Sequence, residues 1–486
     1  MGRRVTIDPI TRLEGHGRIE ILLNDDGEVD RAYLQTPDLR GFEKFCEGRA
    51  AEEMPRLIQK ICGVCPTAHH TASVKALDDL FQVEPPAAAR LIRELLYCAF
   101  IFEDHCLQFY FLGGPDFLVG PSAPKRQRNI FGVLQQIGSE HGQRLMAIRG
   151  KVRSIHTLLG GSPLFPVHGL PGGVAKAVHE EDRRKIRAVA LEAVEFARET
   201  LRLFTTLVLP SGEYSGLMSE ADFSDPIYNM GMVDGDGRLS FCEGNLRVMN
   251  SEGEEVASFA PQDYHSYLVE TVDPWSYSKP LYFKDSGARS GNSRNGRTRY
   301  RVGPLARLNV ANSLTTPLAQ AESERMFERL GGKPVHNLWA YHWARLIELL
   351  HAAERMVAVT DMDALTSSHI RNFPERLAAE GIGACEAPRG TLIHHYWSDD
   401  QGVIRKLNLL VATQNNLAAI SHSITQAARK FVRAGEVSER LLNRVEMAFR
   451  AYDPCLACAV HALDAGQDMV IDIHDSKRRL IKTIRR

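Results

Sequence analysis

Two Cys-x-x-Cys pairs stand at opposite ends of the 486-residue chain, Cys62/Cys65 and Cys455/Cys458. Thiolates are soft, strongly donating ligands that suit zinc, copper(I), iron–sulfur clusters and, in the right geometry, nickel. One such turn brings two sulfurs onto one ion, and two turns complete a four-sulfur site. A structural zinc usually has its two halves within about 20 residues of each other. Here most of the chain lies between them, which loop-closure entropy permits because it grows only slowly with length. Spacing alone leaves zinc and a redox or catalytic metal level, with two separate redox disulfides as a third reading. The other five cysteines (Cys46, Cys98, Cys106, Cys242 and Cys385) are scattered and read as small buried hydrophobes.

The elements that must position these pairs are legible from periodicity. Val5 to Ile7, Arg18 to Leu23 and Val29 to Gln35 are β-rich, with a turn at Asn24-Asp25-Asp26-Gly27. Helical spacing then dominates, over Ala87 to Leu112, Gln127 to Leu159, Glu180 to Phe204, Ser323 to Val359 and Asn416 to Ala434. Ser438 is placed to cap a helix leading into the second pair. A β-rich insertion spans roughly Ser211 to Tyr267, and Asp285 to Thr298 has the composition of an exposed loop.

Bulk properties exclude several classes. Hydrophobic content of 44% and charged content of 24% are those of an ordinary globular protein. A net charge of -1 provides no field toward nucleic acid or anionic membrane. No run of about 18 apolar residues is present, and Met1 to Ile10 has no signal-peptide core. An odd nine cysteines do not form a secreted disulfide framework.

The flanks of the pairs carry further information. The first reads Ile61-Cys62-Gly63-Val64-Cys65-Pro66-Thr67-Ala68-His69-His70, and the second Asp453-Pro454-Cys455-Leu456-Ala457-Cys458-Ala459-Val460-His461. Thr11-Arg12-Leu13-Glu14-Gly15-His16-Gly17 and Arg40-Gly41-Phe42-Glu43 stand near the start. Glu386-Ala387-Pro388-Arg389-Gly390 and Val411-Ala412-Thr413-Gln414-Asn415-Asn416 come late. This set, in this order, resembles the large, catalytic subunit of nickel–iron (NiFe) hydrogenases over nearly the whole chain.

The resemblance implies a mainly α fold with an N-terminal β-sheet and a small β insertion, as one large domain over residues 1–461. It implies nickel on four thiolates, with Cys65 and Cys458 also bridging an iron that carries cyanide and carbon monoxide. Cys62 and Cys455 would be terminal on nickel. Heterolytic splitting of H2 needs an electron-poor metal and a nearby base, and the family makes a terminal thiolate, here Cys455, that base. Glu14 matches the proton-relay carboxylate, and Arg389 the guanidinium over the open metal position, beside Pro388. Asp78 and Asp453 match the carboxylates that hold Arg389. Thr413 would hydrogen-bond a cyanide, although Gln414 stands where many relatives have a second hydroxyl. Glu43 and His461 match the ligands of a buried Mg2+, and His69 a histidine near the active-site thiolates. His70 and His168 read as packing residues.

The family further implies that residues 462–486 are removed by a maturation protease after nickel-insertion proteins have acted. The chain has no Rossmann or P-loop motif and no Fe–S run, so electrons must leave through an Fe–S small subunit. Further electron-transfer subunits are expected, either heterodisulfide reductase-like with ferredoxin, or a flavin diaphorase that reduces NAD. Resemblance to the cytosolic multi-subunit branch places the protein in the cytoplasm. The complex I quinone-site scaffold shares this ancestry but lacks the four cysteines found here.

Overall fold

A computed structural model describes residues 4–38, 41–273, 276–284, 293–294, 296–432, 438–460, 470–474 and 480–485. Arg40, most of the 285–298 segment and His461 lie outside the described residues. The N-terminal strands are Arg4–Ile7, Arg18–Leu23 and Val29–Gln35, antiparallel and in sequence order. The last two join at a turn in which the Asn24 carboxamide oxygen accepts from the amides of Asp26 and Glu28. The buried faces of all three strands rest on the main apolar core.

That core is built from long helices. Ala87–Leu107, Ser139–Gly160, Glu180–Leu203 and Ala340–Thr360 pack against one another, the last buried along almost its whole length. Two helices read as continuous from periodicity are broken. The 127–159 stretch is Ile130–Ile137 and Ser139–Gly160, parted by Gly138 at positive φ. The 323–359 stretch comprises Pro317–Arg329 and Ala340–Thr360, parted by Gly331 and Gly332, both at positive φ. Beyond Leu107 the first long helix loosens into a π-helical stretch, Gln108–Gly113.

The insertion begins with a helix, Gly212–Ser219, before its strands Tyr228–Val233, Asn245–Met249 and Glu255–Phe259. A further sheet of Glu380–Ala387, Gly390–Ser398 and Ile404–Leu410 has no counterpart in the sequence reading. Its first two strands are buried on both faces, so the alternation that marks a half-exposed strand is missing. This sheet lies on the helix Pro66–Leu80, and the contact requires glycine: a Cβ on Gly383 would stand 2.2 Å from the Ala76 amide nitrogen.

Candidate metal centre

Two local turns, one near each chain end, bring the sulfurs together. Cys62 follows the tight turn Gln59–Ile61, and Cys65 stands just before the helix Pro66–Leu80, whose first residue is a proline that needs no amide partner. The amides of Val64 and Cys65 donate to Cys62 Sγ at 3.2 and 3.1 Å. At the other end, Ser438 caps the helix Glu439–Ala451 through the Leu441 amide. Asp453 then turns the chain at φ +56°, and Cys455 opens the short helix Leu456–Ala459. Thr413 Oγ1 accepts from the Cys455 amide at 2.8 Å.

All four cysteines are buried and none is in a disulfide, and their sulfurs lie within 4.8 Å of one another. Cys62 and Cys455 are 3.4 Å apart, Cys65 and Cys458 3.5 Å, and Cys455 and Cys458 2.8 Å. Burial opposes ionisation of Cys62, but hydrogen bonds from the other three thiols carry its affinity well below the ordinary thiol value. Burial, with hydrogen bonds to Cys62 and Cys65, raises Cys455 and Cys458 well above it. The enclosed set therefore stabilises one thiolate by itself; a multiply charged cation is what allows all four to ionise.

Glu14 arrives on the N-terminal loop, which forms a parallel bridge with Cys455. Its Oε2 accepts from Cys455 Sγ at 3.0 Å and from the Ala457 amide at 3.1 Å. Burial raises the proton affinity of this carboxyl, and the charge on Cys62 adds to the effect. The approach is possible because residue 15 is glycine: its φ is +82°, and a Cβ would stand 2.6 Å from the Ala457 nitrogen.

Arg389 sits at the tip of the hairpin that joins Ala387 to Gly390, beside the buried Pro388. Its Nη1 donates to Asp104 at 3.1 Å. Its Nη2 is 3.1 Å from Asp453, close enough for an ion pair but misaligned for a hydrogen bond. His69 Nε2 contacts Cys458 Sγ at 3.3 Å, and its Nδ1 contacts His394 at 3.2 Å. His394 in turn meets the Tyr396 hydroxyl at 2.8 Å.

The sequence profile of the nickel-dependent hydrogenase family matches residues 40–136 and 292–461, and a HoxL-like profile matches residues 4–39. The iron-sulfur subunit of an F420-non-reducing hydrogenase from Archaeoglobus profundus is 42% identical, covering 99% of both chains. The chain belongs to the nickel-dependent hydrogenase family. It is a large, catalytic subunit, an oxidoreductase acting on H2. The beta subunit of the NAD-reducing hydrogenase HoxS from Cupriavidus necator is 34% identical, again over 99% of both chains. The H2-reduced crystal structure of an NAD+-reducing NiFe hydrogenase superposes with a TM-score of 0.87 at 37% identity, covering 94% of this chain and 99% of that one.

The hydrogenase site fits the nickel–iron centre that the family implies. The four-sulfur donor set is closed and buried. Above it, Arg389 Nε and Nη2 are buried donors without a hydrogen-bond partner among the described residues, and the guanidinium charge acts on Cys65 and Cys455. Such orphaned donors are costly unless something outside the chain accepts from them.

One assignment needs correction. Asp78 does not hold Arg389. It pairs with Arg93 at 2.5 Å and accepts from the Gly172 amide at 2.7 Å. It lies 13 residues beyond Cys65 on one helix, about 20 Å along its axis. The neighbouring Asp79 is no substitute, because it accepts from the Ile382 amide. The carboxylate in that role is Asp104, which sequence reasoning missed. It is fully buried, and burial pushes it up to about 7 against the pull of Arg389. The available signal was an Asp within the apolar run of the helix Ala87–Leu107.

Gln414 turns away from the sulfurs, accepting from the Val411 amide and donating to Glu270. Glu43 is half-buried on the helix Phe42–Cys46, and His461, its expected Mg2+ partner, is outside the described residues. His70 accepts from the Gly169 amide and lies against the His168 ring, a packing arrangement. Burial raises the thiols of Cys98, Cys106 and Cys385, keeping them protonated.

Proposed function

We propose that Cys62, Cys65, Cys455 and Cys458 would hold nickel, and that Cys65 and Cys458 would also hold an iron bearing cyanide and carbon monoxide. Glu14 would carry the proton of H2 cleavage away from Cys455. When bound, that centre supplies the electron-poor metals that polarise H2 and take up its electrons. The reading rests on the 3.0 Å contact between Glu14 Oε2 and Cys455 Sγ, a cysteine sulfur and a carboxyl of raised proton affinity in direct hydrogen-bond reach. Arg389, held by Asp104 and Asp453, presents a permanent charge and unfilled donors to the site, with Pro388 shaping the cavity. Thr413 accepts from the Cys455 amide, so its own hydroxyl hydrogen remains free to meet a cyanide. His69 hydrogen-bonds Cys458.

Among the described residues, the four cysteines are the one group of three or more His, Cys, Asp or Glu close enough together to hold a metal. Fe–S clusters are assigned to a partner, the small subunit, as the family resemblance implies. Glu43 and His461 are proposed as Mg2+ ligands. Residues 462–486, whose strands Val470–His474 and Leu480–Arg485 pair only with each other among the described residues, are proposed to be cut away on maturation by a dedicated protease. No helix among the described residues is long and apolar enough to cross a membrane. A cytoplasmic complex is the proposed setting.

For the electron acceptor, the higher identity to the F420-non-reducing relative favours a heterodisulfide reductase- or ferredoxin-type partner. The superposition on the NAD+-reducing structure favours the second reading, a flavin diaphorase. H2 oxidation by the purified complex with NAD+ alone decides between them. Little NADH is expected, and rapid NADH formation reverses the ranking.

A further inference from the structure

The turn that carries Arg389 is held by another arginine that takes no part in the proposed chemistry. Arg307 is fully buried in the helix Pro304–Val310. Its Nε and Nη2 reach the two carboxylate oxygens of Glu348, each at 2.6 Å, and its Nη1 reaches Glu386 at 2.9 Å. The same nitrogens donate to backbone: Nη1 to the Ala387 carbonyl at 2.8 Å, and Nη2 to the Pro388 carbonyl at 3.2 Å. Asn416 Nδ2 donates to the next carbonyl, that of Arg389, at 3.4 Å, while its Oδ1 accepts from the Val302 amide at 2.9 Å. Three successive turn carbonyls, 387 to 389, therefore all face buried donors. Gly303 keeps the helix start close, since a Cβ there would stand 2.9 Å from the Arg389 oxygen.

The network also reaches Arg389 from its other end. His105 contacts Glu348 at 3.0 Å, and the preceding residue, Asp104, holds the Arg389 guanidinium. A planar guanidinium with five fixed donors can satisfy two carboxylates and two carbonyls at once, which an ammonium cannot. Positioning matters because a catalytic group displaced by about 1 Å can cost on the order of 100-fold in rate.

We infer that Arg307 is a positioning residue: by clamping the carbonyls of Ala387 and Pro388 it fixes the turn that aims Arg389 at the four-cysteine site. This rests on the reading of Arg389 as the cation facing that site. The test compares nickel-loaded complexes of Arg307→Lys, Asn416→Ala and Arg389→Lys with wild type. Nickel content, kcat and KM for H2, unfolding temperature and the infrared bands of the iron's diatomic ligands are measured. Arg307→Lys keeps a cation beside Glu348 but loses the fork. The expected result is nickel content as in wild type, kcat lowered by about tenfold or more, KM within about twofold, and bands shifted in the direction seen for Arg389→Lys. Asn416→Ala loosens only the last carbonyl and should shift the bands the same way by less; it carries the test if Arg307→Lys does not load nickel. Wild-type bands and kcat in the loaded variants, with loss confined to unfolding temperature, overturn the inference while Arg389→Lys still moves both. If Arg389→Lys moves neither, the role of Arg389 fails, and the inference fails with it.

Discussion

At the residue scale, a few side chains do distinct work around one set of sulfurs. Glu14 is the proposed proton carrier, so Glu14→Gln keeps a hydrogen-bonding group beside Cys455 but cannot take the proton. H2 oxidation should fall by about 10²–10⁴-fold with nickel content unchanged; a variant that keeps its full rate would remove Glu14 from the pathway. Asp104 and Asp78 offer a paired contrast. Asp104→Asn should move the infrared bands and lower activity, because it touches Arg389. Asp78→Asn should lower only the unfolding temperature, because its partners are Arg93 and Gly172. The reverse pattern would contradict both assignments. The four sulfurs, Glu14 and Arg389 were legible because each sits in a local motif of fixed spacing. Asp104 was not, because its role comes from a long-range contact across 285 residues that no local pattern encodes.

At the element scale, glycine decides how closely the site-bearing segments approach. The loop carrying Glu14 lies on Cys455–Cys458 only because Gly15 has no Cβ. Gly15→Ala combines a clash with a disfavoured positive φ. It should cost about 1–3 kcal/mol and push Glu14 away from Cys455, seen as lost activity in protein that still folds. Unchanged activity would mean that the loop has room that the geometry denies. The N-terminal strands and most long helices could be read from periods of two and about 3.6. The sheet at 380–410 could not, because strands buried on both faces lose alternation, and this one carries the turn with Pro388 and Arg389.

At the scale of the whole molecule, both chain ends converge on one buried centre, and the core around it holds many neutral histidines. Burial lowers His70 and His105 from 6.5 to about 4, and His342 and His351 to about 3. Because these folded values are depressed, the unfolded chain takes up protons first as pH falls. Stability is full above about pH 6.5 and is lost toward pH 4, each ring withdrawing about 1.4 kcal/mol per pH unit. Denaturant midpoints recorded from pH 7 to 4 should fall steeply, and a flat profile would contradict the burial of these rings. The proposed chemistry depends on the four cysteines holding a nickel–iron centre. Metal analysis with an infrared spectrum, on protein matured in its own host, puts that to the test. Nickel bound to the chain, with infrared bands from cyanide and carbon monoxide, is expected; zinc alone, with no such bands, would overturn it.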